Sequence, residues 1–192
     1  MGRGADLLRE AVITDGRVMG SLLLVDGFLN HRVDPPLLDA IGADLAERFA
    51  PAGPDVVVTA EASGIPPALT CAVHLGVPMV YAKKYLGPGD RNVFFREVVS
   101  PTRGAEYRVE IARRVLGAGS RVLIVDDFLA GGRTAEALGE IAVEAACRVV
   151  GFGFAIEKRF TGGRSRLESH GWRVEALITV TSLEAGVVAL AD

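Results

Sequence analysis

Short valine-rich runs alternating with amphipathic stretches set the pattern of this chain from Val56 onward. Residues 56–58, 77–82, 122–125 and 149–156 are continuous apolar segments bounded by Gly or Pro, and 174–180 closes the series. Unbroken apolar character over so few residues is the pattern of strands buried on both faces. Between them, 66–75, 134–146 and 164–170 carry helical periodicity. Strand and helix in repetition predict an α/β fold, an open and mostly parallel five-stranded sheet with helices on both faces. Two regions depart from the repeat. In the first, 21–25 reads as a strand and Asp34-Pro35-Pro36 opens a helix through Phe49, because Asp caps well and Pro is tolerated in the first turn. The second, 85–120, holds Gly87-Pro88-Gly89 and strand-like pieces such as Val93-Phe94-Phe95. Together they are expected to form a small N-terminal and flap appendage, a hood over one edge of the sheet.

Composition narrows the classes. A chain of 192 residues, 49% hydrophobic, can bury one core, so residues 1–192 are expected to be a single domain. A net charge of −3 with 23% charged residues argues against a basic nucleic-acid binder. The two cysteines, Cys71 and Cys147, each inside an apparent helix, give no support to a disulfide or a zinc site, which favours a reduced, cytoplasmic setting. No apolar run reaches signal-peptide or membrane-span length, so no membrane partner is expected.

The strongest local chemistry follows residues 122–125. Asp126-Asp127-Phe128-Leu129 leads into Ala130-Gly131-Gly132-Arg133-Thr134 and a helix. A Gly-rich turn feeding a helix N-terminus presents free N–H groups to a phosphate, at the strand ends where open α/β sheets bind ligands. The paired acids can accept hydrogen bonds from two vicinal ribose hydroxyls, and their charge favours Mg²⁺ or a cationic transition state. The bland alternative is a strand end with an ordinary turn.

This segment resembles the signature of the type I phosphoribosyltransferases: four apolar residues, two acids, two variable residues and a small phosphate loop. Asp126 and Asp127 match the acids, and Ala130, Gly131, Gly132, Arg133 and Thr134 match the loop. The family often carries Thr where Gly131 stands and Gly where Arg133 stands. Similarity to the xanthine-using bacterial members extends over about residues 22–183. Val25-Asp26-Gly27-Phe28-Leu29-Asn30-His31 resembles their base-contacting segment, which implies that Leu23 and Asn30 face the purine. Glu61-Ala62-Ser63-Gly64 resembles the pyrophosphate loop, with Glu61, Ser63 and Gly64 in a strained turn, and Ala82-Lys83-Lys84 the basic segment after the second core strand. Ile156-Glu157-Lys158, with Phe160, resembles the base-recognition strand end. The flap is the least similar part, with Val99-Ser100 where relatives often carry Tyr-Ser.

The resemblance implies transfer of the phosphoribosyl group of phosphoribosyl pyrophosphate (PRPP) to a purine, with Mg²⁺ held mainly through PRPP, and a homodimer. An ammonium at Lys158 suits a 6-oxo group and disfavours the donor of adenine. The Asn30 amide fits a 2-oxo group but also admits a 2-amino group. Lys83 and Lys84 could be a surface pair, but their strand-end position favours a pyrophosphate role for at least one. His31, His74 and His170 show no nucleophile or metal constellation. Ala130 stands where 6-oxopurine relatives often place a carboxylate as general base, so proton removal from the purine is not assigned to the loop; xanthine, more acidic than the other 6-oxopurines, can bind already deprotonated. Guanine or hypoxanthine is the nearest alternative. A PRPP-sensing regulator is the alternative from another class, but the roughly 20 residues ahead of the resembling region are too few for a winged helix.

Overall fold

The computed structural model describes residues 2–85, 92–99 and 106–191. Gly87, Pro88, Gly89 and Ser100 lie outside the described residues. All five strands expected from the apolar runs are present, as β3 (Val56–Ala60), β4 (Met79–Tyr85), β7 (Arg121–Leu129), β8 (Arg148–Lys158) and β9 (Val174–Ser182). They pair in parallel in the order β4-β3-β7-β8-β9. Three antiparallel strands widen this sheet among the described residues. β5 (Val93–Val99) and β6 (Glu106–Ala112) form a pair that adds to β4, and β10 (Ala189–Leu190) adds to β9.

Each core strand sends alternate side chains to opposite faces. Val57, Leu123 and Val125 pack under α1 (Arg3–Asp15), α2 (Pro35–Phe49) and α3 (Ile65–Leu75), while Val58, Ile124 and Phe152 pack under α4 (Arg133–Glu144). The short α5 (Gly163–Glu168) buries Leu167 on the α4 side. Asp34 caps α2 as its sequence predicts, accepting from the Leu37 N–H at 3.1 Å, with Pro35 as the first helical residue. The glycines Gly42 of α2 and Gly139 of α4 let neighbouring chains approach. An added Cβ at Gly139 would stand 2.6 Å from Trp172.

Three features differ from the sequence expectation. α1 had no counterpart in it. The acids Asp126 and Asp127 lie within β7 rather than beyond it, because pairing with β8 continues to Leu129↔Glu157. The two irregular regions do not share one edge. β5 and β6 continue the sheet beyond β4, whereas β1 (Arg17–Met19) pairs with β2 (Leu22–Leu24) as a separate ribbon lying near the Glu184–Gly186 turn that follows β9.

At the N-terminal ends of β3 and β7, Arg121 clamps Asp55. Its Nε and Nη2 donate to the two carboxylate oxygens at 3.1 and 2.8 Å, and its backbone N–H donates at 2.8 Å. The guanidinium holds the Asp55 carboxyl down to about pKa 2. This clamp closes the end of the sheet opposite the candidate site.

Candidate functional site

β3 and β7 are neighbours, but the chain leaves β3 toward β4 and α3 on one face and leaves β7 toward β8 and α4 on the other. Backbone loops diverge at such a switch and leave a crevice beyond the strand ends. A cleft of about 260 Å³ opens there, lined among others by Val98, Tyr107, Asp126, Phe128, Gly131 and Thr134.

Asp126 lines this cleft, and Asp127 follows it on β7. Asp127 is 6% exposed and Asp126 is half-buried. The Asp126 Oδ1 accepts from the Asp127 N–H at 2.9 Å, and the Asp127 Oδ1 accepts from the Phe128 N–H at 2.9 Å. Burial and the neighbouring Asp127 charge push the Asp126 carboxyl well above the usual carboxylate range, against a smaller pull from Lys84. Gly64 is required beside it, since a Cβ there would stand 2.3 Å from both the Asp126 Oδ1 and the Thr59 Oγ1.

The loop at 130–134 turns sharply into α4. Gly132 has φ 75°, a left-handed conformation that suits glycine, and caps the helix without a side-chain bond. The first turn of α4 therefore keeps N–H groups available to an anion. The loop is braced from behind. Arg166 Nε donates to the Gly131 carbonyl at 2.9 Å and its Nη1 to Glu136 at 2.9 Å, while His170 Nε2 lies 3.0 Å from the other Glu136 oxygen. The His170 ring stacks on Trp172 with centroids 4.4 Å apart. Arg133, expected in the phosphate loop, is exposed and donates to the Val99 carbonyl at 3.2 Å, so its guanidinium ties the loop to β5. The Thr134 and Tyr107 hydroxyls are 2.7 Å apart.

The other phosphate-side residues come from β3 and β4. The Glu61–Ala62 peptide is cis. Glu61 Oε1 accepts from the Lys84 N–H at 2.7 Å, joining the loop at 61–64 to the end of β4. Ser63 is half-buried in that loop. The strand alternation separates the two lysines. Lys84 points to the site, with its ammonium 5.6 Å from the Tyr107 ring centre. Lys83 lines a different cavity, with Tyr81, Tyr85, Glu110 and Arg114.

Residues distant in sequence also converge on Asp127 and Phe128. Asn30 Nδ2 donates to the Asp127 Oδ2 at 3.4 Å. The Lys158 ammonium lies 5.3 Å from the Phe128 ring centre. Burial lowers the Lys158 pKa, opposed by the Asp127 charge. Leu23 is 5% exposed in the core under α1 and α2, while Phe160 is exposed in the turn after β8.

Three residues of this constellation were not anticipated: Phe128, Tyr107 and Arg166. Phe128 follows the acids directly, but an aromatic at a strand end reads as core. Tyr107 and Arg166 reach the loop from other elements, which local sequence does not signal.

Comparison with known proteins gives a consistent picture. A family described as a phosphoribosyl transferase domain matches residues 34–178. The chain is 43% identical over 189 residues to a xanthine phosphoribosyltransferase of Pseudomonas putida, covering 97% of this chain and 100% of that protein. It is 44% identical over 180 residues to one from Chloroflexus aurantiacus, covering 93% and 85%. Among solved structures, an adenine phosphoribosyltransferase of Saccharomyces cerevisiae, complexed with an imino-altritol bisphosphate and adenine, superposes with TM-score 0.71. It has 28% identity and covers 91% of this chain and 98% of that one. Adenine phosphoribosyltransferase from Rhodothermus marinus gives TM-score 0.75 at 26% identity, over 92% and 98%. An acid pair at the end of a central strand, a small-residue loop opening a helix and a family match across three quarters of the sequence lead to one conclusion: the chain belongs to the phosphoribosyltransferase family.

Proposed function

We propose that the protein transfers the 5-phosphoribosyl group of PRPP to xanthine, giving xanthosine 5′-monophosphate and diphosphate in purine salvage. The observation that carries this reading is the approach of Asn30 to Asp127 and of Lys158 to Phe128, beside the acid pair. Lys158 supplies a donor for a 6-oxo group, the Phe128 ring a face for a flat base, and Asn30 a second donor for a 2-oxo group. Adenine presents an amino donor where Lys158 also donates. That repulsion argues against adenine, although the solved relatives above carry that name.

In this reading Asp126 and Asp127 hold the ribose hydroxyls and sit near the positive charge that develops at the anomeric carbon. The N–H groups at 130–134 and the Thr134 hydroxyl receive the 5′-phosphate, while Lys84 and the loop at Glu61, Ser63 and Gly64 face the departing pyrophosphate. The position of Lys83 leaves it outside this set. Leu23 supports the base segment from the core. The two carboxylates are hard oxygen donors suited to Mg²⁺, but among the described residues no cluster of three or more His, Cys, Asp or Glu could hold a metal. PRPP oxygens and water must then complete its shell. When bound, the ion neutralises charge on the pyrophosphate.

The chain as one domain, a cytoplasmic location and a homodimer belong to the same reading. Among the described residues no helix is long and apolar enough to cross a membrane. Tyr81, Tyr85, Phe95 and Val115 are each more than two-fifths exposed around β4 to β6, an apolar area that a second copy would cover. Sedimentation at micromolar concentration is expected to give a dimer, and a monomer removes that element.

Base choice is tested by Mg²⁺-dependent pyrophosphate release from PRPP with xanthine, guanine, hypoxanthine and adenine. Xanthine is expected to exceed hypoxanthine by about ten- to hundredfold in kcat/KM, the effect of one unmet buried donor, with adenine inactive. Asn30→Ala should erase the xanthine preference. Equal rates for the oxopurines in the parent would remove Asn30 and Lys158 as the specificity pair, and PRPP binding without turnover on any purine would favour a regulator.

A further inference from the structure

Tyr107 touches the groups read above as serving the two ends of PRPP, and no role has yet been given to it. It is half-buried on β6, lines the cleft and pairs across the ladder with Val98. Its hydroxyl is 2.7 Å from the Thr134 Oγ1 at the start of α4. The Lys84 ammonium lies over its ring, 5.6 Å from the ring centre. We infer that Tyr107 is a positioning residue for PRPP, aiming the Thr134 hydroxyl at the 5′-phosphate through its own hydroxyl and the Lys84 ammonium at the pyrophosphate through its ring. The inference rests on the phosphoribosyl-transfer reading of this site.

The direction of the Tyr107–Thr134 hydrogen bond follows from acidity. A phenol gives up its proton far more readily than an aliphatic alcohol, so Tyr107 is the better donor and Thr134 the better acceptor. Thr134 has one proton and two lone pairs. With a lone pair held by Tyr107, its proton is free to point toward the anion at the helix N-terminus rather than back to a carbonyl of the preceding chain. The ring adds a second constraint, because a cation is attracted to the face of an aromatic and Lys84 is otherwise exposed with a flexible stem. Arg133 joins the loop to β5 at Val99 while Tyr107 joins it to β6, so both strands of this antiparallel pair are fastened to the phosphate loop.

The test separates the hydroxyl from the ring and binding from turnover. Ribose 5-phosphate and inorganic pyrophosphate are titrated calorimetrically into the parent, Tyr107→Phe, Tyr107→Leu, Thr134→Ala, Thr134→Ser and the Tyr107→Phe/Thr134→Ala pair. Steady-state constants and melting temperatures are measured on the same proteins. Tyr107→Phe is expected to weaken ribose 5-phosphate about three- to tenfold, the range of one neutral hydrogen bond, and to raise KM for PRPP by a similar factor. KM for the base should not move. In the Thr134→Ala background Tyr107→Phe should add nothing further, while Thr134→Ser should keep near-parent binding. Tyr107→Leu should weaken pyrophosphate as well, which Tyr107→Phe should not. Additive losses in the double variant, or parent-like ribose 5-phosphate binding in Tyr107→Phe, would reduce Tyr107 to a packing residue. A parent that binds ribose 5-phosphate but turns over no purine would overturn the transfer reading alone, since the binding cycle still decides the role of Tyr107.

Discussion

Asp126 carries a stability cost at the position where the chemistry is proposed. Its folded-state pKa lies above the unfolded value, because burial and Asp127 disfavour the charge. The unfolded chain therefore ionises first, and stability falls as pH rises from the unfolded pKa through the folded one. At neutral pH the site is held against that gradient. Asp126→Asn keeps an oxygen for the Asp127 N–H and removes the repulsion, so it is expected to raise the melting temperature while lowering kcat sharply, as functional sites often trade stability for activity. Asp126→Asn with Asp127→Asn should abolish turnover and leave the circular dichroism spectrum intact. An unchanged kcat would return the acids to a structural role. These two residues were legible in the sequence because acids adjacent in the chain end an otherwise apolar run. Thr134 was legible for the same reason, as part of a continuous loop. The bond that orients it was not, because Tyr107 stands on another strand, and nothing in a stretch of Glu106-Tyr107-Arg108 marks the tyrosine as different from any half-buried strand residue.

At the level of elements, the parallel strands were the most legible because valine runs buried on both faces leave little alternative. The helix α1 is less legible, although Ala5, Leu8 and Val12 recur on one face and are at most 1% exposed. Its start lacks a side-chain cap, and the residue that anchors it is remote. Asp44, 7% exposed on α2, accepts from the Ala5 N–H at 2.9 Å and occupies the place where a local Ser or Asp would cap. Asp44→Ala leaves a fully buried backbone donor unpaired and is expected to cost about 1–3 kcal/mol, read from urea denaturation, with little change in KM for PRPP. A loss under about 0.5 kcal/mol, the low end for a single hydrogen bond, would show that water replaces the carboxylate. The β5–β6 pair was the least legible element. Its side chains mix charge and aromatics, and it is held by contacts to distant partners, with Arg96 paired to Glu140 and Glu144 on α4 at 2.7 Å each.

Over the whole molecule, the chemistry gathers at one end of the sheet and a plain ion pair fastens the other. The folded Asp55 pKa of about 2 against an ordinary 3.8 means that its contribution is present above the unfolded value and is lost as pH falls from about 3.8 toward 2. The urea midpoint of Asp55→Asn should therefore fall less steeply with acid over that window than the parent midpoint, and parallel curves would argue that the clamp does not titrate. The brace behind the phosphate loop has a different consequence. Trp172 is the one tryptophan of the chain, and it ends a line of contacts running from the Gly131 carbonyl through Arg166, Glu136 and His170. All indole fluorescence thus originates from one point, a few residues behind the anion loop. Filling that loop with ribose 5-phosphate should shift or quench the emission without any added dye. Arg166→Met, which cuts the line at its first link, should leave an optical signal that no longer responds to the ligand it still binds.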